Sequence, residues 1–170
     1  MTVKAFRTRA PITMVLALVM AVLVANQSAS GLQMTASKSA TSTVLKIDVK
    51  GKITELNLKQ IAALHPHKIK IYDPFSKKSC LFTVVNFSSV LAKAGVLPND
   101  ELNLLALDDY EFKDRASAFI AARALLAYKD DSKEIAVSRG GPVRIVFAKG
   151  SKYEKLVNAW VWSLAEINVK

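Results

Sequence analysis

The segment with the clearest capacity for chemistry in this 170-residue chain is a glycine pair between two arginines, at residues 139–144 (RGGPVR). Gly140 and Gly141 carry no Cβ atom, so nearby backbone amides can approach a ligand closely, as they do in anion-binding nests. Arg139 and Arg144 flank the pair, and a guanidinium group matches the oxygens of a phosphate or carboxylate. The pattern predicts an anion-binding loop, although it also fits a simple turn into a core strand with both arginines solvated.

Other residues suited to metal binding or nucleophilic catalysis are few. His65 and His67 flank a proline in a spacing that fits no zinc motif, which favours a surface turn. Cys80 follows two lysines, whose charge favours a thiolate, but no base is identifiable beside it. We therefore expect Cys80 to be a small, partly buried side chain at a strand edge.

Two pairs of adjacent carboxylates, Asp108-Asp109 and Asp130-Asp131, lie in polar segments. Adjacent residues do not face each other across a site, so both pairs are predicted to be solvated turns. No nucleophile elbow, phosphate-binding loop or dinucleotide fingerprint occurs in the sequence. The residues therefore identify no catalytic set.

The elements that must position these residues are short strands and helices without a regular order. Strand patterns recur at residues 44–49, 53–56, 68–73, 81–85, 102–107, 110–112, 125–128, 143–147 and 164–169. Short helices are predicted after Asn57, over residues 87–94 with Gly95 as the cap, and near residues 117–122. The absence of a steady βαβ alternation or a repeat predicts a single α+β domain with a mixed sheet.

Residues 1–30 have the pattern of a Sec-type signal peptide. Three basic side chains stand in the first nine residues, an uncharged apolar run follows at 12–25, and QSAS ends the segment. The apolar run is shorter than the roughly 20 residues that span a bilayer. Cleavage near Ser30 is therefore favoured over a retained anchor, and we expect a periplasmic or secreted product with no stable membrane span after processing.

The remaining chain is predicted to be a flexible lead-in at residues 31–43, rich in Ser, Thr and Ala, followed by one domain at residues 44–170. The composition, 51% hydrophobic and 22% charged, excludes a disordered chain. One cysteine excludes a disulfide framework and a thiolate-cage metal site.

The net charge is +10, and removal of a leader with three basic residues and no acidic one leaves 10 − 3 = +7. An exported protein meets no nucleic acid, so this charge points to a small anionic ligand, an anionic envelope polymer or lipid headgroups. A mild excess of lysine that keeps the protein soluble is the alternative.

Six segments occur in an order and spacing typical of a known family. They are IKIYDPF at 69–75, FTVVNFSSVLAKAG at 82–95, LNLLALDDY at 102–110, LLAY at 125–128, RGGPVR at 139–144 and WVWSLAEINV at 160–169. They lie between residues 69 and 169 and resemble the oxidoreductase molybdopterin-binding domain of the sulfite oxidase family, in its short, single-domain exported members. We take the resemblance to cover roughly residues 44–169, the whole predicted domain. The resemblance implies a mixed α+β fold that buries a pterin cofactor.

The resemblance also implies roles for individual residues. In the family's enzymes a cysteine thiolate that binds molybdenum follows a strand like 69–72, and Asp73 stands at about that position here, with Cys80 several residues later. The lysine–tryptophan pair near the end of the enzymes is also not reproduced, because Trp162 follows Val161. These departures predict that the molybdenum ligand is missing.

The glycine loop matches the family's pterin-phosphate motif, His-Gly-Xaa-Pro-Xaa-Arg, in part. Gly140, Pro142 and Arg144 match, whereas Arg139 replaces the histidine. We therefore expect the loop to keep an anion-binding role, with Arg144→Ala weakening binding about 10- to 100-fold while leaving stability nearly unchanged.

The predicted ligand-binding set is Arg139, Gly140, Gly141, Arg144 and Asp73. No metal ligand and no cofactor are expected, although the family resemblance would imply molybdopterin. The favoured function is a non-catalytic periplasmic module that binds a small anionic ligand, or a membrane-bound sensor or enzyme partner, and no nucleic acid. The alternatives are a molybdopterin-dependent oxidoreductase of the sulfite oxidase type and an envelope assembly or scaffold factor.

Overall fold

A computed structural model of the chain describes residues 41–170. The predicted signal peptide and most of the predicted lead-in lie outside the described residues. No helix within residues 41–170 is both long enough and apolar enough to cross a membrane.

Strands that are distant in sequence form the first sheet. Its members are β1 (Thr43–Val49), β2 (Lys52–Asn57), β5 (Glu101–Ala106), β6 (Glu111–Arg115) and β10 (Leu164–Val169). Their order is β2-β1-β10-β5-β6, and β10 runs parallel to β1 while the other pairs are antiparallel. The last strand of the chain thus occupies the centre of a mixed sheet.

The second sheet contains the middle of the chain. Its members are β3 (His67–Asp73), β4 (Lys78–Asn86), β7 (Leu125–Asp130), β8 (Lys133–Glu134) and β9 (Arg144–Val146). Strand β7 pairs with β4 on one side, while β8 and β9 pair with its two halves on the other. The positions Asp73, Asp130 and Arg144 are therefore all at ends of strands in this one sheet.

Three short helices lie close to the places that the local sequence predicts. Helix α1 (Leu58–Ala62) begins after Asn57, whose side chain accepts the Gln60 amide while the Gln60 side chain accepts the Asn57 amide. This reciprocal arrangement is a capping box. Helix α2 (Phe87–Ala94) ends at Gly95, which has φ +81°, and helix α3 spans Ala116–Ala121.

One contiguous hydrophobic core receives side chains from both sheets and all three helices. The predicted apolar face of α2, which consists of Phe87, Val90, Leu91 and Ala94, is buried as expected. A network of edge-to-face rings links α2 and α3 to the C-terminal part of the chain through Phe119. The prediction of an α+β fold with short helices is confirmed, but the strands form two sheets instead of one, and only the first of them is mixed.

Candidate functional site

The sheet brings the predicted site residues to one place. Asp73 is the last residue of β3, and Arg144 is the first residue of β9. Strands β4 and β7 lie between β3 and β9 in this sheet, and Asp130 is the last residue of β7. The 3₁₀ turn Val137–Arg139 leads into the glycine loop that precedes β9.

Asp73 and Arg144 form a buried ion pair. Arg144 Nη2 donates to Asp73 Oδ1 at 3.0 Å and Arg144 Nη1 to Asp73 Oδ2 at 3.4 Å, and both residues are 2% exposed. Nη1 also donates to the Arg139 carbonyl oxygen at 3.3 Å. Burial lowers the pKa of Arg144, and the Asp73 carboxylate opposes that effect. The pair is bidentate, because two guanidinium nitrogens donate to the two carboxylate oxygens, and this geometry compensates buried charges best.

Aromatic rings surround the same guanidinium group. Its central carbon lies 4.4 Å from the ring centroid of Trp162, 5.5 Å from that of Phe82 and 6.0 Å from that of Phe75. The Phe75 and Trp162 rings contact each other with centroids 4.7 Å apart. Electron-rich ring faces attract a cation, so these rings stabilise the buried charge together with Asp73.

A second ion pair lies beside the first. Arg139 Nη2 donates to Asp130 Oδ2; the Asp130 side chain is 6% exposed, whereas that of Arg139 is 52% exposed. The prediction that Asp130 is a solvated turn residue is wrong, because it ends β7 and the exposed turn begins only at Asp131. Its position two residues after the apolar run at 125–128, at the end of the same strand, is the one sequence signal that could have identified it.

The glycine pair is explained by close packing. Gly140 has φ +81°, and a Cβ atom there would lie 2.5 Å from a ring carbon of Trp162; at Gly141 it would lie 1.8 Å from the Ile135 carbonyl oxygen. The Gly140 amide donates to the Val137 carbonyl at 2.9 Å, and the Gly141 amide donates to that of Ala136 at 3.0 Å. Both amides are therefore engaged within the protein, unlike the free nest expected from the sequence.

Several buried polar atoms at this site have no hydrogen-bond partner. Among the described residues four side chains carry such an atom, and three of them are here: Asp130 Oδ1, Arg144 Nε and Trp162 Nε1. Buried polar groups in folded proteins are normally paired, so these three atoms leave unused hydrogen-bonding capacity beside the ion pairs.

An aromatic cleft of about 250 Å³ opens beside the ion pairs and was not predicted from the sequence. Phe75, Tyr110, Trp160 and Trp162 supply its rings. The remaining lining residues are Asp108, Val157 and Asn158. Because three loops far apart in sequence contribute these side chains, no local spacing could have revealed the cleft.

Hydrogen bonds hold two of the aromatic side chains that line the cleft. The Tyr110 hydroxyl donates to the Asn158 carbonyl oxygen at 2.9 Å, which ties the β5–β6 turn to the 3₁₀ segment Val157–Ala159. The Trp160 indole N–H donates to two carbonyl oxygens, those of Tyr153 and Glu154, each at 3.2 Å. The rings of Tyr110 and Trp160 are thus held in place by hydrogen bonds to backbone carbonyl oxygens.

The residues at the positions that the resemblance assigns to a cofactor do not fit a pterin phosphate or a molybdenum thiolate. Arg144 uses both terminal nitrogens on Asp73 and Arg139, and Asp73 provides a carboxylate that already has a counter-charge. Cys80 lies in β4, opposite Ile71 on β3, and is 4% exposed, so its expected place at a strand edge is corrected to the buried interior of the sheet. Within residues 41–170 no three His, Cys, Asp or Glu side chains cluster as a metal site.

The structure therefore brings the predicted site residues together, but its two arginine side chains differ in exposure to solvent. Arg144 is sealed in the ion pair, whereas Arg139 retains a half-exposed side chain. The expectation that Arg144→Ala would leave stability nearly unchanged does not fit this geometry, since Asp73 would stay buried without its counter-charge.

No protein-family model matches the chain. No curated protein matches it in sequence either. The resemblance to the sulfite oxidase family remains a prediction.

Proposed function

We propose that this protein is a non-catalytic binding module, exported as its leader predicts, which recognises a small anionic ligand or a membrane-bound sensor or enzyme partner. The observation that carries the proposal is the closed pair between Asp73 and Arg144 at the positions where the resembled enzymes hold their metal ligand and their phosphate. A buried carboxylate that is neutralised by a buried guanidinium is not free to act as a metal ligand, so the pair favours a structural role at this position over redox chemistry.

Arg139 is the residue that we propose contacts the anion. A guanidinium group has five N–H donors, and Asp130 takes one of those on Nη2. Because the Arg139 side chain is half exposed, its other N–H donors are accessible to a ligand. The net positive charge of the chain also favours the approach of an anion.

The test combines metal analysis with ligand screening on the purified mature protein. We expect no stoichiometric molybdenum or pterin, and a concentration-dependent rise in melting temperature with at least one of phosphate, sulfate, a dicarboxylate or a sugar phosphate. Stoichiometric molybdenum with a pterin would instead support the oxidoreductase alternative. A protein partner recovered by crosslinking, with no shift from any anion, would favour the partner-binding or scaffold function.

Two arginine variants assign the anion effect to the site. Arg139→Gln should abolish most of the anion-induced shift, while Arg139→Lys should keep part of it because the charge remains. Arg123→Gln is the matched control, since Arg123 is also exposed but lies after α3 and outside the loop. Equal shifts in the Arg139→Gln and Arg123→Gln variants would place the anion site elsewhere.

A further inference from the structure

We propose that the aromatic cleft beside the ion pairs is a second, separate binding site, and that its ligand is a compact substituted ammonium ion. This inference goes beyond the anion-binding function and does not depend on it. The cleft combines four aromatic side chains, Phe75, Tyr110, Trp160 and Trp162, with a single charged group, the carboxylate of Asp108.

The lining selects for positive charge. No lysine or arginine is among the described residues that line the cleft, and the ring faces and Asp108 would both repel an anion. A neutral apolar ligand would remove water from Asp108 without giving it a partner. Asp108 Oδ1 accepts the Tyr110 amide at 3.3 Å, and no ion pair within residues 41–170 engages its side chain. Its charge is therefore available to a ligand.

The lining suits an organic cation better than a divalent metal ion. Calcium and magnesium require several oxygen ligands, whereas this cleft offers one carboxylate among rings. Ammonium groups bearing methyl or methylene substituents are weakly hydrated and gain from contact with ring faces, as in aromatic cages. The volume of about 250 Å³ suits a small molecule.

Two of the rings that line the cleft already contact a cation within the protein. Phe75 and Trp162 border the cleft and also pack against the Arg144 guanidinium, whose charge Asp73 balances. The Trp160 and Tyr110 side chains are held by the hydrogen bonds to backbone carbonyls described above, so a ligand would not have to order them. Preformed ring positions reduce the entropic cost of binding.

The intrinsic fluorescence of the protein provides a direct readout. The sequence contains two tryptophans, and both line the cleft. We would titrate the mature protein with choline chloride and, in parallel, with 3,3-dimethyl-1-butanol, the neutral molecule of the same shape, with sodium chloride added to equalise ionic strength. We expect saturable fluorescence changes with choline and about tenfold weaker binding of the neutral molecule.

Two neighbouring carboxylates give a matched pair of variants. Asp108→Asn keeps an oxygen that can accept the Tyr110 amide and should weaken choline binding about fivefold. Asp109→Asn removes a charge from the adjacent residue, which does not line the cleft, and should bind choline as the wild type does. Tyr110→Leu, which keeps apolar bulk but removes a ring, should also weaken binding.

Three results would overturn the proposal. They are the absence of a saturable change with choline at millimolar concentrations, equal affinity for choline and its neutral counterpart, and equal loss in the Asp108→Asn and Asp109→Asn variants. The anion-binding proposal would survive each of them, because it is read from melting temperature and from Arg139. Failure of the Arg139 test would likewise leave the fluorescence titration unaffected.

Discussion

At the scale of single residues, an arginine that reads in sequence as a ligand-binding group is instead part of the buried core. Arg144 follows a glycine loop, which is where an exposed anion-binding side chain would be expected. Its burial depends on Asp73, which is 71 positions away and meets it only because β3 and β9 belong to one sheet. A contact at such sequence separation leaves no local signal, and only the family resemblance linked the two positions.

Removing the charge of Arg144 alone should therefore be strongly destabilising. We expect Arg144→Gln to lower the free energy of unfolding by about 3–5 kcal/mol, because the Asp73 carboxylate would remain buried without compensation. The double variant Asp73→Asn/Arg144→Gln should recover most of this loss, since neither charge is then left alone. Urea denaturation measures both, with the exposed Arg123→Gln as control.

Two stability results would contradict a charge-compensating role for Arg144. If Arg144→Gln were no less stable than Arg123→Gln, the guanidinium would not be the counter-charge of Asp73. A double variant less stable than the single one would show that hydrogen bonding, not charge compensation, dominates the pair.

At the scale of elements, the sequence predicted the features that depend on neighbouring residues, which are the ends and the buried faces of the helices. The capping box at Asn57, the buried stripe of α2 and the glycine cap at Gly95 were all readable from spacing, because helix ends and faces depend on near neighbours. Strand bounds were less accurate: β9 covers three residues where five were expected, and β6 extends to Arg115. Strand ends depend on partners elsewhere in the chain, which spacing does not reveal.

Helix α2 offers the clearest test of the core. Leu91 is 2% exposed, so Leu91→Ala should cost about 2–5 kcal/mol through lost burial and the remaining cavity. Lys93→Ala on the exposed side of the same helix should change stability by less than about 0.5 kcal/mol. Chemical denaturation of both variants measures the difference, and a similar small effect at Leu91 would mean that this face does not pack against the core.

At the scale of the whole molecule, the strand order places the last strand beside the first described one. The final strand, β10, lies between β1 and β5 and is parallel to β1, so the first sheet cannot be completed until the last residues are available. Pairing of strands so far apart in sequence is intrinsically slow. Slow completion of the sheet suits a protein that is predicted to cross a membrane unfolded before it folds.

Export is the prediction that applies to the whole molecule. The basic start, the apolar run at 12–25 and the small residues before position 31 predict cleavage near Ser30, which would leave about 12 residues before β1 begins at Thr43. Mass spectrometry of the native protein should find a mature N-terminus close to Gly31 in the periplasmic or secreted fraction. A chain produced without residues 1–30 is the control and should stay in the cytosol. Recovery of the full-length protein with Met1 intact from the cytosolic fraction would contradict the prediction, and the ligands of both proposed sites would then have to be sought among cytosolic compounds.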